Sequence, residues 1–247
     1  MHTPDMNEPV AIISDIHGNL QALQAVIADI EAQGIQERVC LGDIVGYGGH
    51  PRECVELIQA KGFRVIQGNH DAYAATDAEP IGISDEAKQV IHWTRSVLSG
   101  EQRAWLGSLP LTWQAKGYKV VHASLHHPEQ WGYVFDPSAA AQHFAHQQKD
   151  VCFIGHSHQP KMFVAGEDKA LDITSLESLR KGRKQVINVG SVGQPRDKDE
   201  RACYVVYRCA EADVWWRRID YDIKGAQNAI AAAGLPGKYA HRLSFGQ

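Results

Sequence analysis

Short apolar segments that each end in a metal-binding side chain are the feature that most constrains this sequence. Val10 to Ile13 is an apolar, β-branched run that predicts a buried strand, and Asp15 and His17 follow it directly. Side chains at i and i+2 project to the same side of an extended backbone, so this pair can converge on one point. Four further apolar segments end at Asp43, at Asn69 and His70, at His122, and at His156 and His158.

Helical patterns separate the first three of these segments. The helix predicted for residues 20–33 stops at Gly34, and Pro51 occupies the first position of a second helix. This β-α-β-α-β order predicts parallel strands with helices on both faces of the sheet. Ligands bind beyond the carboxyl ends of strands in such sheets, so we expect the five endings to meet in one crevice.

Two other regions have a different pattern. Residues from about 72 to 112 predict a helical insertion over the metal site, with one helix capped by Ser84 and another begun by a capping box of Ser99 and Gln102. Three late strands, at residues 185–189, 202–207 and 214–219, are typical of an antiparallel meander because short turns separate them. We expect one domain over residues 1–247.

Composition excludes several classes of protein. With 44% hydrophobic and 22% charged residues, the 247-residue chain is typical of a globular protein, and no apolar run reaches the length of a membrane span. A net charge of −4 argues against an extended nucleic-acid or anionic-membrane surface. Residues 1–9 show no signal-peptide pattern, and Cys40, Cys152 and Cys203 lie in apolar runs as buried thiols would. The cytoplasm is the simplest compartment.

The set of candidate ligands indicates what is bound. Carboxylates, an amide oxygen and several imidazoles, without a thiolate, suit Mn, Fe, Zn, Co or Ni better than a structural zinc site, and we favour Mn. The groups are too many for one ion. Two divalent ions roughly 3.5–4 Å apart, sharing a carboxylate and a hydroxide, would use them all. The positive charge of two divalent ions exceeds the negative charge of Asp15, Asp43 and a hydroxide. The site therefore keeps a net positive charge and should attract a phosphate.

At this point the sequence resembles the calcineurin-like metallophosphoesterases. The resemblance rests on Asp15-x-His17, Gly42-Asp43, Gly68-Asn69-His70-Asp71, His122 and Gly155-His156-Ser157-His158. Residues 188–196 and a tail around residues 234–243 are similar to the small bacterial phosphodiesterase branch of that superfamily. The resemblance implies an α/β fold, a four-layer α/β/β/α sandwich with two sheets between helices.

The resemblance also implies a role for each position. The first metal ion would be held by Asp15, His17 and His158, the second by Asn69, His122 and His156, with Asp43 bridging the two. His70 would contact the substrate phosphate and protonate or stabilise the leaving alkoxide, which makes His70 and Asp43 the catalytic residues. Substrate contacts would come from His70, Asn69 and Arg196. The implied reaction is phosphoester hydrolysis by a metal-bridging hydroxide.

The sequence departs from some relatives beside the bridging aspartate. The protein phosphatases and dinucleoside tetraphosphatases carry Asp-Arg three residues after it, where this chain has Gly46 and Tyr47. We therefore expect phosphodiesters as substrates, with space for a second ester group beside Gly46, Gly48 and Gly49. A phosphomonoesterase or nucleotide pyrophosphohydrolase on the same site is the alternative. A non-catalytic scaffold would be expected to have lost ligands, and a P-loop motif is absent.

Several side chains have two interpretations from sequence. Arg196 could bind phosphate or pair with Asp197 or Asp199 at the surface. Trp131, Tyr133 and Phe135 could stack on a nucleobase, although packing is the favoured interpretation. Substrate contact by the loop of His126 and His127 is also open, and His143 and His146 are expected to be solvated. The expected partner is a small phosphate ester or nucleotide, and the sequence does not indicate the oligomeric state.

Overall fold

The computed structural model describes residues 8–80, 83–115, 117–171 and 175–247. Within them lie eleven strands and eight α-helices. The strands are β1 Val10–Ile13, β2 Glu37–Cys40, β3 Arg64–Val65, β4 Thr112–Gln114, β5 Tyr118–Val121, β6 Val151–Ile154, β7 Lys161–Val164, β8 Leu176–Ser178, β9 Gln185–Asn188, β10 Ala202–Arg208 and β11 Asp213–Ile219. The helices are α1 Leu20–Ala32, α2 Pro51–Ala60, α3 Asn69–Ala75, α4 Asp85–Val97, α5 Gly100–Ser108, α6 Pro137–His146, α7 Ile223–Ala232 and α8 Gly237–Arg242. Residues 1–7, most of the segment without a signal-peptide pattern, lie outside the described residues.

The first sheet has the strand order β3-β2-β1-β10-β11-β8. Its first three strands are parallel, with Val10 opposite Glu37 and Val39 opposite Arg64, whereas the last three run antiparallel to their neighbours. The parallel half is the predicted β-α-β-α-β unit. Its three carboxyl ends therefore reach the same edge of the sheet.

The second sheet has the order β4-β5-β6-β9-β7, with β5, β6 and β9 parallel. The predicted strand at residues 185–189 is β9, which pairs with β6 rather than with β10. The prediction of a three-stranded meander is therefore wrong for β9 and holds only for β10 and β11, which pair antiparallel in the other sheet. Turn length between consecutive strands does not determine which sheet each joins.

The two sheets pack face to face between layers of helices. Ala11 and Ile13 of β1 belong to the cluster that α1 and α2 cover, while Ile12 packs in the cluster shared by both sheets. On β6, Phe153 lies in that shared cluster, and Ile154 packs on the outer side with α6. The prediction of helices on both faces of one parallel sheet is wrong, because the second sheet covers the inner face. The α/β/β/α sandwich is the observed fold.

Helices α4 and α5 begin where their caps predict. The hydroxyl of Ser84 accepts the N–H of Ala87 at 3.3 Å, and Ser99 and Gln102 exchange two hydrogen bonds in a capping box. Helix α4 also packs against α7 and α8 through a cluster that includes Val90, Ile230 and Leu243. The insertion thus contacts the end of the chain, and a single domain over residues 1–247 stays a prediction.

Two expectations from composition can be compared with the structure. All five cysteines are free thiols, and Cys40, Cys152 and Cys203 are buried as predicted. Among the described residues, none of the helices combines the length and apolar character that crossing a membrane requires.

Candidate metal centre

Loops at the carboxyl ends of parallel strands in both sheets carry the candidate ligands. They follow β1 (Asp15, His17), β2 (Asp43), β5 (His122) and β6 (His156, His158), while Asn69 and His70 begin α3 after β3. All eight side chains are buried. The structure thus brings together every side chain that the sequence predicts to meet, and both sheets contribute.

The first group of possible ligands contains Asp15, His17 and His158. Their ligand atoms lie within 4.8 Å of one another. The Nε2 atoms of His17 and His158 are 3.1 Å apart, and Asp15 Oδ1 lies 3.3 Å from His158 Nε2 and 3.8 Å from His17 Nε2. Two imidazoles and a carboxylate aimed at one point are a ligand set for a transition metal.

Asp43 joins this group to a second one. With His122 and His156 it forms another set of ligand atoms within 4.8 Å, and His122 Nε2 is 3.4 Å from Asp43 Oδ2. The same Oδ2 is 3.6 Å from His17 Nε2 in the first group. Asp43 is therefore placed to be shared between two ions. Asp43, His17 and His70 form a third such set, so geometry alone does not separate His70 from the ligands.

Main-chain carbonyls fix three of the imidazoles. The Nδ1 atoms of His17, His122 and His158 lie 3.1, 2.8 and 2.6 Å from the carbonyl oxygens of Val45, Leu41 and Gln194, respectively. A carbonyl only accepts, so each Nδ1 carries the proton and donates it. In the neutral form of each ring the lone pair is then on Nε2, which faces the carboxylates, and this is how histidine ligands are commonly held at metal sites.

The protonation of the centre follows from its burial. Burial lowers the pKa of His17 well below its usual value and that of His156 to about 3, so both are neutral at pH 7. Burial also opposes protonation of His122, but the nearby charge of Asp43 raises the pKa of His122 to about 9. Metal ligation requires neutral imidazole, so an ion at His122 must displace a proton.

Unpartnered polar atoms provide the test of whether a metal would fit. Buried atoms without a hydrogen-bond partner include Asp15 Oδ1, Asn69 Oδ1, His122 Nε2 and His156 Nε2. Leaving buried polar atoms without partners costs about 1–3 kcal/mol each, so their concentration at one place calls for a compensating group. All four are acceptors or nitrogen ligands that a divalent cation would satisfy. The residues fit a metal centre.

The backbone at the centre is held in an unfavourable conformation. Asp15, His17, Asp43, His156 and His158 all have positive φ angles, between 49° and 65°. Residues other than glycine adopt this left-handed backbone conformation at a cost of roughly 1–2 kcal/mol each, although Asp and His are among those that tolerate it best. Strain concentrated on the candidate ligands is typical of a functional site, where the side-chain direction decides the conformation.

Asp71 supports the centre and has no role assigned by sequence. Its carboxylate accepts the backbone N–H groups of Asp43 at 2.8 Å, Ile44 at 2.9 Å and Gly68 at 3.1 Å. It therefore ties the loop after β2 to the start of α3. In the sequence, Asp71 stood out only as part of the motif Gly68-Asn69-His70-Asp71. The structure shows that its carboxylate binds backbone N–H groups and is not placed to bind a metal ion.

Gly68 and Gly155 let backbone approach the two carboxylates closely. A Cβ at Gly68 would collide with Asp43, and one at Gly155 would collide with Ser14 and Asp15. The neighbouring His156 N–H can then donate to Asp15 Oδ2 at 3.0 Å. Glycine is needed at both positions because a side chain would not fit, and not because the backbone has a positive φ angle.

A cavity of about 290 Å³ opens beside the centre. Its lining includes Asp43, Tyr47, Asn69, His70, Ser84, Ala87, Tyr133, His156, His158, Arg196, Lys238, Tyr239 and Arg242. The helix α4 contributes Ser84 and Ala87 at its start, so the predicted helical insertion borders the cavity. The last helix, α8, contributes the final three residues.

Comparison with known proteins agrees with this geometry. A family model described as the calcineurin-like phosphoesterase superfamily domain matches residues 9–212, which include every candidate ligand. The chain belongs to this superfamily. The resemblance seen in the sequence is confirmed, and phosphoric ester hydrolysis at a metal centre is the chemistry that the superfamily implies.

Three similar proteins extend the comparison. An uncharacterized protein of Methanocaldococcus jannaschii is 41% identical over 244 residues, covering 96% of this chain and 98% of its own. The crystal structure of a metallophosphoesterase from Sphaerobacter thermophilus superposes with a TM-score of 0.87 at 35% identity, covering 97% of this chain and 99% of that one. A hypothetical protein from Pyrococcus horikoshii, at 24% identity, a TM-score of 0.78 and coverage of 97% and 98%, shares the fold.

The two positions where this calcineurin-like chain departs from the protein phosphatases lie against the centre. The ring of Tyr47 is 4.7 Å from that of His17 and 4.5 Å from that of His70. Gly46 lies against the His70 ring, and Nδ1 of His70 has no hydrogen-bond partner. Burial raises the pKa of Tyr47 to about 12, so its phenol is uncharged at pH 7. An uncharged group thus occupies the position where those relatives carry arginine.

The space predicted beside three glycines is filled. A Cβ at Gly48 would collide with the backbone of His17 and Gly18, one at Gly49 with Ala229, and one at Gly46 with the His70 ring. The prediction that a second ester group passes there is wrong, because other parts of the chain occupy the space that the absent side chains leave. A substrate must enter through the cavity instead.

Arg196 lies in the cavity and not in a surface ion pair. Its guanidinium donates to Gln194 Oε1 at 2.7 Å, with Cζ 5.9 Å from the centroid of the Tyr47 ring. The two aspartates proposed as alternative partners bind other arginines: Asp197 pairs with Arg218, and Asp199 with Arg201. The ion-pair interpretation is therefore wrong, and phosphate binding by Arg196 stays a prediction.

Aromatic rings form a column that leads outward from the centre. Tyr133 stacks on His156 with ring centroids 4.0 Å apart, and Phe135 stacks on Tyr133 at 4.8 Å. Both are exposed, at 47% and 44%. Packing, the favoured interpretation from sequence, accounts for the contacts of Tyr133 with His156 and Phe135, and stacking on a nucleobase stays a prediction. Trp131 instead lies edge-on to His122 at 5.9 Å.

The other histidines lie away from the cavity lining. His143 is fully buried and its Nδ1 accepts the N–H of Leu125 at 3.2 Å, so the prediction that it is solvated is wrong. His146 is exposed as predicted and lies 3.1 Å from His126 between ring nitrogens. His126 and His127 are not among the residues that line the cavity.

Proposed function

We propose that this protein hydrolyses phosphodiester bonds with a centre of two divalent metal ions. The observation that supports this most directly is the shared position of Asp43 between two groups of buried ligand atoms. Carboxylate, amide and imidazole ligands without thiolate fit manganese as well as iron, zinc, cobalt or nickel, and we favour manganese. A reducing cytoplasm is part of the proposal, supported by the five free cysteines.

Each candidate ligand has a place in this proposal. Asp15, His17 and His158 would hold one ion, and Asn69, His122 and His156 the other, with Asp43 between them. When bound, such ions neutralise phosphate charge and lower the pKa of water from 15.7 to about 7, which supplies the nucleophile. The chain's own contribution is to fix the ligands through the carbonyl bonds to Nδ1 and to exclude water from their buried side.

His70 would contact the phosphate and protonate the leaving group. Burial lowers its pKa to about 4, which by itself leaves the ring neutral at pH 7. A phosphate anion beside the ring favours the protonated form and opposes that shift. The backbone N–H of His70 donates to Asp43 Oδ1 at 2.8 Å, so ring and bridging carboxylate are positioned together.

Two observations favour different substrates. Tyr47 places no cation beside the candidate ligands, which suits a diester monoanion better than a monoester dianion. Arg196 reaches the cavity from another loop and could replace the missing arginine, which favours the alternative of a phosphomonoesterase or nucleotide pyrophosphohydrolase. The unpartnered ligand atoms argue against a non-catalytic scaffold, since nothing else among the described residues compensates them.

A comparison of two aryl substrates tests the proposal. The manganese-loaded enzyme should show a higher kcat/KM for a bis-aryl phosphate diester than for the matching monoester, by about tenfold for a preference of 1.4 kcal/mol. A faster monoester reaction that loses its advantage in Arg196→Ala would establish the alternative. Turnover that survives complete removal of metal, verified by elemental analysis, would exclude the two-metal mechanism.

A further inference from the structure

Two arginines in the cavity converge on a single neutral oxygen. Arg196 Nη2 donates to Gln194 Oε1 at 2.7 Å, and Arg242 Nη1, from the end of α8, donates to the same atom at 3.1 Å. An amide oxygen carries no net charge. It holds the two guanidinium groups near each other without neutralising either of them.

No carboxylate among the described residues lies within 4.0 Å of either guanidinium. Two other arginines, Arg201 and Arg218, are by contrast paired with Asp199 and Asp197. Burial, and next the charge of Arg196, lower the pKa of Arg242 from its usual value. An arginine nevertheless stays protonated, so about two positive charges remain uncompensated. A bound anion would relieve their repulsion.

The third cation of the cavity is different. Lys238 forms an ion pair with Glu86 of α4, so its charge is already compensated. Its ammonium group also lies 5.2 Å from the centroid of the Tyr239 ring. The uncompensated charge in this part of the cavity is therefore confined to the arginine pair, within the described residues.

The pair borders the metal centre, where the backbone N–H of Arg196 donates to the carbonyl oxygen of His158 at 3.2 Å. Tyr47 contacts His70 on one side, with ring centroids 4.5 Å apart, and Tyr239 on the other, at 4.8 Å. Arg196 Cζ is 5.9 Å from the Tyr47 ring and Arg242 Cζ is 5.6 Å from the Tyr239 ring. The rings of Tyr47 and Tyr239 thus separate Arg242 from His70, and an anion held by both arginines would lie next to a phosphate bound at His70 rather than in its place.

We propose that Arg196 and Arg242 form a subsite for a second phosphoryl group of the substrate. Guanidinium forks match the geometry of phosphate oxygens, and two of them converge here. The substrate class is then a phosphodiester that carries a second phosphoryl group, such as a nucleoside bisphosphate esterified at one of its two phosphates, and the diester bond is the one hydrolysed. This inference rests on the proposed function for the assignment of the first phosphate to the metal centre.

Binding measurements test the subsite directly. Calorimetry with the manganese-loaded protein should show about tenfold or greater preference for thymidine 3′,5′-bisphosphate over thymidine 5′-monophosphate, equivalent to about 1.4 kcal/mol. Arg242→Met should reduce that preference to less than about threefold, and Arg242→Lys should retain part of it. Arg52→Met is the matched control, because it removes the same charge from an arginine that binds the Val97 carbonyl elsewhere.

The outcomes separate this inference from the proposed function. Equal affinity for the two nucleotides in the wild-type protein, or a preference that Arg242→Met leaves unchanged, overturns the subsite. Turnover of phosphate esters is measured in parallel on the same preparations. A bisphosphate preference without hydrolysis of any ester would uphold the subsite and reject the proposed function. Hydrolysis without the preference would reject the subsite and leave the proposed function standing.

Discussion

Single residues of the centre are oriented before any metal arrives. The carbonyl oxygens of Val45, Leu41 and Gln194 fix the ring orientations of three histidines, and Asp71 fixes the loop that carries Asp43. Such preorganisation reduces the entropy that ligand binding must overcome. The ligand types could be predicted from sequence because each follows an apolar run. Their backbone acceptors could not, since a carbonyl leaves no trace in the residue pattern.

His122 should be protonated at pH 7 in the metal-free protein. Its pKa of about 9 lies above the usual value, so the imidazolium form persists until the pH rises through 9. Nitrogen NMR of the metal-free protein should show His122 charged at pH 7 and His156 neutral, and zinc should convert His122 to the neutral form. Below pH 9, metal affinity should rise with pH by up to about tenfold per unit. A neutral His122 at pH 7 contradicts this prediction.

Alanine variants should separate His70 from His158. His158→Ala removes a ligand and should lower the bound metal content. His70→Ala should retain both ions and lose roughly 10²–10⁴-fold in rate, the usual range for a general acid. The loss should be smaller for a nitrophenolate leaving group, which needs no proton. If metal analysis shows that His70→Ala empties the centre, His70 is a ligand, as its proximity to His17 and Asp43 also permits.

At the level of elements, the strands that end in candidate ligands were predictable, and β4, β7 and β8 were not. The runs of β1, β2, β5 and β6 are apolar because both faces of each strand are covered. The three-residue strands β4 and β8 are too short to show a period, and no strand was predicted for β7. The partner of β9 depends on contacts distant in sequence, which local patterns do not encode.

The aromatic column gives the loop after His127 a testable role. Phe135 lies at its outer end, stacked on Tyr133 and 44% exposed, so its free face can contact a flat organic group. Phe135→Ala should raise KM for an aryl or nucleoside ester several-fold with little change in kcat, because base–aromatic stacking contributes about 1–3 kcal/mol. Steady-state kinetics would show this, with Phe245→Ala as a control for loss of an exposed phenylalanine. An unchanged KM would assign the column to packing alone.

At the scale of the whole molecule, the cavity is assembled from distant parts of the chain. Its lining runs from Asp43 to Arg242, and the cluster of α4, α7 and α8 holds Tyr239 beside Tyr47. The tail around residues 234–243 was noted in the sequence only as a resemblance. Its contribution could not be predicted because α8 is six residues long and reaches the site only through tertiary packing.

Removing metal should destabilise the whole fold. Ions that bind only the native state add about 2.7 kcal/mol at one hundred times their dissociation constant, which corresponds to roughly 5–10 °C in Tm for a chain of this size. Calorimetric scans of the manganese-loaded and chelator-treated protein would measure the shift. His158→Ala should respond less than the wild type, because it lacks one ligand. Identical melting temperatures with and without metal would show that the ligands do not bind it.

The positive φ angles of the five candidate ligands have an evolutionary consequence. A lineage that lost the reaction would no longer be selected for carboxylate or imidazole at these positions, while the backbone would keep its conformation. Glycine or asparagine would then be the substitutions that relieve the strain, by roughly 1 kcal/mol at each position. Descendants without activity should therefore accumulate those two residues at positions 15, 17, 43, 156 and 158, and a chain that keeps aspartate and histidine at all five still bears the cost of the site.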